Sequence, residues 1–476
     1  MADDTAAAPL LTSHEAEPAA KGLLDGQLLF ISVFTEAEPR WHCVGSGAGN
    51  LSGSAPAQAS PCTLPAGTWA WDRPAETSVV SEWALNCASP AVLSLPSSSF
   101  FAGCLAGGFL LTMLADSLLG RKRMLVMALA SMSVAGALTA FAPNVWASMV
   151  GTCALVLSTE LVWNRWRNTV NFAAFSCFNL GFLSLPAVAY AFRGASWRSM
   201  YLWTSLPCLF YAVLLHFLAQ ESPRWLLVRG RTQEAVETLR QIAAHNGSGT
   251  ATATSFSKLN ACAAMLEDSG MTSAGGGVFA TLRAMLERRW AIRRLATVMA
   301  AGFGVGLVYF GMPLNVGSLG SDLYLSVTYN ALAELPSAAL SWLVIARASR
   351  RGSVAALAAV AGGVQPRLVS FFATSTAYNV ILIYAIELFP TSLRNSALGL
   401  VRQAMVLGGV VAPVLVALGR KRSFWSFGVF GLAIGCSGLF AACLPETRGR
   451  SLSDTMEEEE RKDAAVANSS DNDLRT

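Results

Sequence analysis

The chain is expected to fold as an all-α polytopic membrane protein of about twelve spans in two six-helix halves. Three observations point there. Hydrophobic residues make up 53% of the 476 positions and charged residues only 13%, against about 25% charged in soluble domains. The mean hydropathy is +0.45. Continuous apolar runs recur at the length of roughly 20 residues that a bilayer core about 30 Å thick demands, where a large soluble core would show amphipathic periodicity instead.

The spans follow from those runs in chain order. Ten read clearly, at 92–115, 123–142, 145–163, 170–192, 199–219, 295–313, 323–346, 368–388, 396–418 and 424–443. Two are short. "GLLDGQLLFISVF" offers about thirteen residues and contains Asp25, and 353–364 is a brief Ala-rich stretch. With both termini inside, most Lys and Arg fall on the inner side, as the positive-inside rule requires, although "GRKR" at 419–422 falls on the outer side.

The organisation expected is therefore a disordered N-terminus over 1–20, an N-terminal bundle over 21–219 with an outside loop at 35–90, and a cytosolic linker over 220–294. A C-terminal bundle over 295–443 and an acidic cytosolic tail over 444–476 complete it. No cleavable leader is evident, because Asp25 interrupts the first apolar stretch. Cys43, Cys62 and Cys87 fall in the outside loop, where oxidation is chemically available. Three cysteines leave one over, and their spacing does not say which. Asn50 opens a glycosylation sequon in the same loop.

Two sequence echoes imply internal duplication. "ELVWNRWR" from Glu160 and "ELFPTSLR" from Glu387 share Glu-Leu-x5-Arg, ending at Arg167 and Arg394, and each closes an apolar run of the same rank in its half. "ESPRWLLVRGR" from Glu221 and "PETRGRSL" around Glu446 form the second echo. Neither a Walker-type loop, a nucleophile elbow nor a pair of metal-spaced histidines occurs, so neither enzymatic chemistry nor a cofactor is expected, and no nucleic acid partner.

With "SEWALNC" (81–87), "LADSLLGRKR" (114–123), "ESPRWLLVRGRTQEA" (221–235), "AELP" (333–336), "AYNVILIYAIELFPTSLRN" (377–395) and "PETRGRSL" (445–452), the chain resembles the organic cation and anion transporter family of the major facilitator superfamily. The resemblance implies two bundles rocking about a central cavity. It also implies an inner latch of charges at helix ends: Asp116, Arg121, Lys122, Glu160 with Arg167, and Glu387 with Arg394, with Glu221, Arg224 and Arg231 on the loop side. Departures exist. Thr112 and Ser117 stand where the family's 2–3 loop carries Gly and Arg, and "ARASRRGS" lacks an aspartate, which should weaken that latch.

A cavity for charged organic molecules needs countercharges or aromatic faces. Within spans, Glu334 is the acid and Arg402 the base. The family's selectivity charge on helix 11 falls here on Val406. Arg402 lies one helical turn away on the same face, so it is expected to replace that charge and to favour organic anions. Tyr309, Tyr378 and Asn379 are the further substrate-binding candidates, and Phe310, Tyr324, Tyr329 and Tyr384 could line the same cavity. The expected function is transport of small organic ions by alternating access, in a multi-pass protein of the plasma membrane whose partners are its substrate and the lipid bilayer. The alternative is a non-transporting relative that binds a partner through the Trp-rich outside loop.

Overall fold

The computed structural model describes residues 22–44, 61–65, 67–114, 121–151, 168–218, 285–315, 322–363, 367–391, 393–419 and 423–448. It adds single residues and short pieces of 221–238, 283 and the tail from 453 to 462. Asp116, Glu160, Arg167, Arg224, Asn50 and the Arg121 side chain lie outside the described residues, as does the "RKR" of 420–422.

Helices dominate. In order they are α1 Gly22–Thr35, α2 Pro90–Leu114, α3 Arg121–Ala140, α4 over 145–151, α5 Asn168–Ala191 and α6 Trp197–Leu218. The second half holds α7 Arg289–Asn315, α8 Leu323–Arg347, α9 Arg350–Gly363, α10 Arg367–Leu388, α11 Arg394–Gly419 and α12 Ser423–Ala442. Five of these, in α2, α6, α7, α10 and α11, are long and apolar enough to cross a membrane, and α1 and the apolar parts of α3, α5 and α12 are shorter. Six helices carry an internal proline (Pro96, Pro186, Pro207, Pro313, Pro336 and Pro413). Membrane bundles tolerate this because neighbouring groups re-satisfy the freed carbonyls.

The two short segments both form helices. Along α1, Leu24, Leu28, Phe30, Ile31, Val33 and Phe34 are buried. The helix fits because glycines let backbones meet: a Cβ on Gly26 would lie 2.2 Å from the Phe178 carbonyl oxygen, and one on Gly181 would lie 2.0 Å from that of Leu23. Asp25 does not break α1. Helix α9 runs 14 residues and packs Gly362 and Ala358 against Gly431 and Gly438 of α12.

Helices α7 and α11 cross most closely in the second half. Cβ atoms on Gly306 and Gly408 would meet the Met405 and Phe303 carbonyl oxygens at 2.2 and 2.4 Å. Such small-residue contacts are how helices associate where lipid removes any hydrophobic drive between them.

The halves touch along α2 and α11, where Ser98 Oγ donates to the Val410 carbonyl at 3.0 Å. A small cap covers one end of the bundle. Strands β1 (Trp41–Cys43) and β2 (Trp69–Trp71) pair antiparallel, with Trp41 opposite Trp71 and Cys43 opposite Trp69. Of the three cysteines there, Cys62 and Cys87 form the disulfide and Cys43 is free and exposed. The Glu82 carboxylate clasps this cap to α6, accepting from Trp197 Nε1 at 2.5 Å and pairing with the Arg198 guanidinium.

Candidate functional site

A cavity of about 120 Å³ lies between the halves. Its first-half wall comes from Asp25 and Leu28 of α1, Phe101 and Cys104 of α2, and Phe178 of α5. The opposite wall is Tyr309 and Phe310 of α7, Tyr378 and Asn379 of α10, and Arg402 and Val406 of α11. Five of the six sequence candidates are thus brought together. Arg402 and Val406 are one turn apart on α11, and both reach the cavity.

Aromatic rings make most of the surface. Tyr309 and Tyr378 stack at 4.6 Å between centroids with a 29° tilt, and Phe101 meets Phe310 at 4.8 Å across the halves. Negative ring faces of this kind attract an organic cation at about 0.5–2 kcal/mol each. Asn379 Nδ2 is buried with no hydrogen-bond partner, so a donor stands available to a ligand.

Glu334 is placed otherwise than a direct countercharge. It is fully buried behind the wall, and Tyr309 Oη donates to its Oε1 at 2.5 Å. The acid that does line the cavity is Asp25, a residue absent from the candidates drawn from sequence. The signal was present, since an acid within an apolar run is a functional site by default. The same residue makes that apolar run look too short and polar to span, which masks the signal.

At the end of the bundle opposite the cap, Glu387, Arg350 and Glu446 lie close together. Glu387 binds Arg350, Oε1 to Nη2 at 2.9 Å, and accepts from Thr447 Oγ1 at 2.7 Å. Arg394 does not pair with Glu387; its Nε donates to the Ile386 carbonyl at 3.0 Å. The loop lacking an aspartate therefore supplies Arg350 to Glu387 instead.

The second echo has a physical explanation. Glu446 accepts from the backbone N–H groups of Arg350 and Arg351 at 2.9 and 3.3 Å, capping α9. Glu221 accepts from the Lys122 N–H at 3.1 Å, near the start of α3. Each carboxylate meets the positive end of the third helix of its half. Burial pushes the Glu446 carboxyl up, yet the N–H groups of Arg350, Arg448 and Arg351 outweigh it and hold the group below its ordinary value. Arg231 pairs only locally, with exposed Glu234.

At the capped end, Phe34 of α1 stacks on Tyr324 of α8 at 5.7 Å, and Tyr190 of α5 meets Tyr324 edge-on at 5.6 Å. Arg73 of the cap donates to Tyr324 Oη at 3.1 Å and to the Arg193 carbonyl at 3.5 Å. Groups from both halves thus meet at this end.

Comparison with known proteins agrees with this architecture. Residues 72–311 match the family model "Sugar (and other) transporter". The chain is 46% identical to organic cation/carnitine transporter 2 of Arabidopsis thaliana, over 93% of this chain and 89% of the relative. It is 28% identical to solute carrier family 22 member 3 of Mus musculus, over 85% of this chain and 76% of that one. Among solved structures, the inward-open xylose transporter XylE from E. coli superposes with a TM-score of 0.58 at 17% identity, covering 93% of this chain and 98% of that chain. At that identity the likeness speaks for the fold alone. The two-bundle architecture, the cavity between its halves and these relatives together place the chain in the major facilitator superfamily, as a membrane transporter of the organic cation and anion transporter family.

Proposed function

We propose that the protein carries small organic cations, including zwitterions that join a quaternary ammonium to a carboxylate, across the membrane by alternating access. The observation that carries this reading is the composition of one cavity: aromatic faces and Asp25 for a cation, with Arg402 and the free Asn379 donor for a carboxylate. The names of the relatives support it, since the Arabidopsis proteins are called organic cation/carnitine transporters. The anion preference expected from Arg402 alone gains no support from those names, and an acid shares the cavity. Arg402 is better read as the receptor for the carboxylate of a zwitterion, where a planar guanidinium suits bidentate binding.

The capped end faces outward in this reading, and the end bearing Glu387, Arg350 and Glu446 faces the cytosol as an inner latch. A cavity of 120 Å³ is below the roughly 300–1,000 Å³ of sites that hold drug-sized ligands. Loading therefore requires the halves to part, which is the motion that alternating access supplies. No observation favours the receptor alternative.

The test is uptake by cells of carnitine, tetraethylammonium and p-aminohippurate, normalised to surface protein. Saturable uptake of the first two is expected. Arg402→Ala should lower carnitine uptake at least tenfold relative to tetraethylammonium. Uptake of p-aminohippurate alone would overturn the reading, and an unchanged ratio in Arg402→Ala would remove the carboxylate role.

A further inference from the structure

Glu334 is a buried carboxyl group with no structural task in the fold as described. It lies on α8, fully buried. Its Oε1 accepts from Tyr309, and its Oε2 is buried with no hydrogen-bond partner. No arginine or lysine among the described residues bonds to it. Its backbone carbonyl accepts from Ser337 Oγ at 2.7 Å, and that hydroxyl in turn meets Ser375 Oγ of α10 at 3.0 Å, so the peptide that carries it is held in place. An uncompensated carboxylate is expensive in such surroundings.

Yet the group is one side chain from the substrate cavity. The ring of its partner Tyr309 forms the cavity wall and stacks on Tyr378. A cation resting on those faces would meet the field of a carboxylate across a low-dielectric gap, where Coulomb attraction is far stronger than in water.

We propose that a proton and an organic cation compete for Glu334, so that the protein exchanges one for the other; this rests on the transport reading above. With the cavity empty, the proton sits on Oε2 and the group is neutral. When the cation settles on Tyr309 and Tyr378, the O–H bond breaks, the proton passes to water in the opened cavity, and the carboxylate balances the cation. After the cation leaves on the other side, the carboxylate takes a proton from water there. One positive charge crosses each way.

The groups facing Glu334 fit this assignment. Helix α7 presents Tyr309 and α10 presents Tyr378, while Asp25 of α1 and Arg402 of α11 stand on the cavity walls. The titratable residues of the described part of α5 are Cys177 and Tyr190, and Tyr190 is engaged with Tyr324 at the capped end. Those of α9 are Arg350 and Arg351, at the far end with Glu387 and Glu446. Asp25 shares its cavity with a fixed positive charge, whereas Glu334 has only a phenol.

The experiment uses the full chain in proteoliposomes with the membrane potential clamped and tetraethylammonium as probe. With an acidic lumen, the wild-type protein should concentrate the probe about tenfold per pH unit, the ratio for one-to-one exchange at equilibrium. A lumenal pH dye should report alkalinisation as the probe enters. Glu334→Gln should lose concentrative uptake and leave any remaining probe flux independent of pH, and Tyr309→Phe, which keeps the carboxyl group, should move the pH midpoint of coupled uptake. Wild-type protein that only equilibrates the probe, or Glu334→Gln that still concentrates it, overturns the proposal. Absence of counterflow in wild type would overturn the transport reading itself, a result distinct from failed coupling.

Discussion

At the level of single residues, position within the bundle rather than residue type decides what each charge does. Glu334 and Asp25 are both carboxylates in apolar helices, but one lies behind the aromatic wall and the other on it. Asp25→Asn should therefore raise the KM for tetraethylammonium about tenfold or more, with kcat less affected, in uptake normalised to surface protein. Loss of a direct countercharge weakens binding of substrate, as a KM effect reports. Glycines show the same dependence on place. Gly306→Val would drive a side chain into the Met405 backbone, already 2.2 Å from a single Cβ. Overpacking costs about 1–3 kcal/mol where the neighbour can yield, and backbone yields least. A fall in the melting temperature of detergent-solubilised protein is expected, and an unchanged value would show that α7 and α11 can separate there. The family resemblance pointed to Val406, and the helical period placed Arg402 on the same face of α11.

Among the elements, the cap and the tail each pack on one end of the bundle. At the capped end, Tyr324 receives the Arg73 bond and contacts Phe34 and Tyr190. Tyr324→Phe removes the hydroxyl while keeping the ring. The outward-open state should then be populated several-fold more, since only contacts that exist in one state bias the equilibrium. Labelling of buried Cys104 in the cavity by an impermeant thiol reagent, in a Cys43→Ser background, would measure it. Labelling no faster than in the parent would exclude Arg73 as a closing strap.

At the opposite end the tail helix α13, residues 456–462, docks on the start of α7. Glu460 accepts from Trp290 Nε1 at 2.8 Å and pairs with Arg288 at 2.7 Å, and Glu459 pairs with Arg294 at 2.8 Å. The Trp290 bond foremost, then Arg288, against some opposing burial, holds the Glu460 carboxyl below its ordinary value of 4.5. A depressed carboxylate contributes docking that is complete above pH 4.5 and is lost as pH falls through the folded value. Protease cleavage of the tail should accordingly rise below pH 4.5, and Glu460→Gln should show the raised cleavage at neutral pH. Cleavage insensitive to both would mean that α13 is held by its other contacts. The tail read from sequence as an acidic run; that its acids meet Arg288 and Arg294 across the chain could not be read from local pattern.

For the whole molecule, hydropathy and repetition were enough to establish an all-helical membrane protein in two related halves, because a bilayer imposes helix length and composition locally. The quoted motifs were enough to establish the family. The candidates on α10 and α11 came from the inventory of aromatic and charged residues and from the family resemblance, with period adding only that Arg402 and Val406 share a face. Contacts between distant segments decided the rest. Only the folded chain shows that α1 is a full partner in the cavity, through the Gly26 and Gly181 approaches to α5, and that Asp25 is therefore a wall residue. Only it gives Glu387 to Arg350 rather than to Arg394, and assigns the disulfide to Cys62 and Cys87. The physical reason is common to all three. Helix formation and burial are governed by neighbours three and four residues away, whereas the partner of a charge or a thiol is fixed by how separate helices and loops pack.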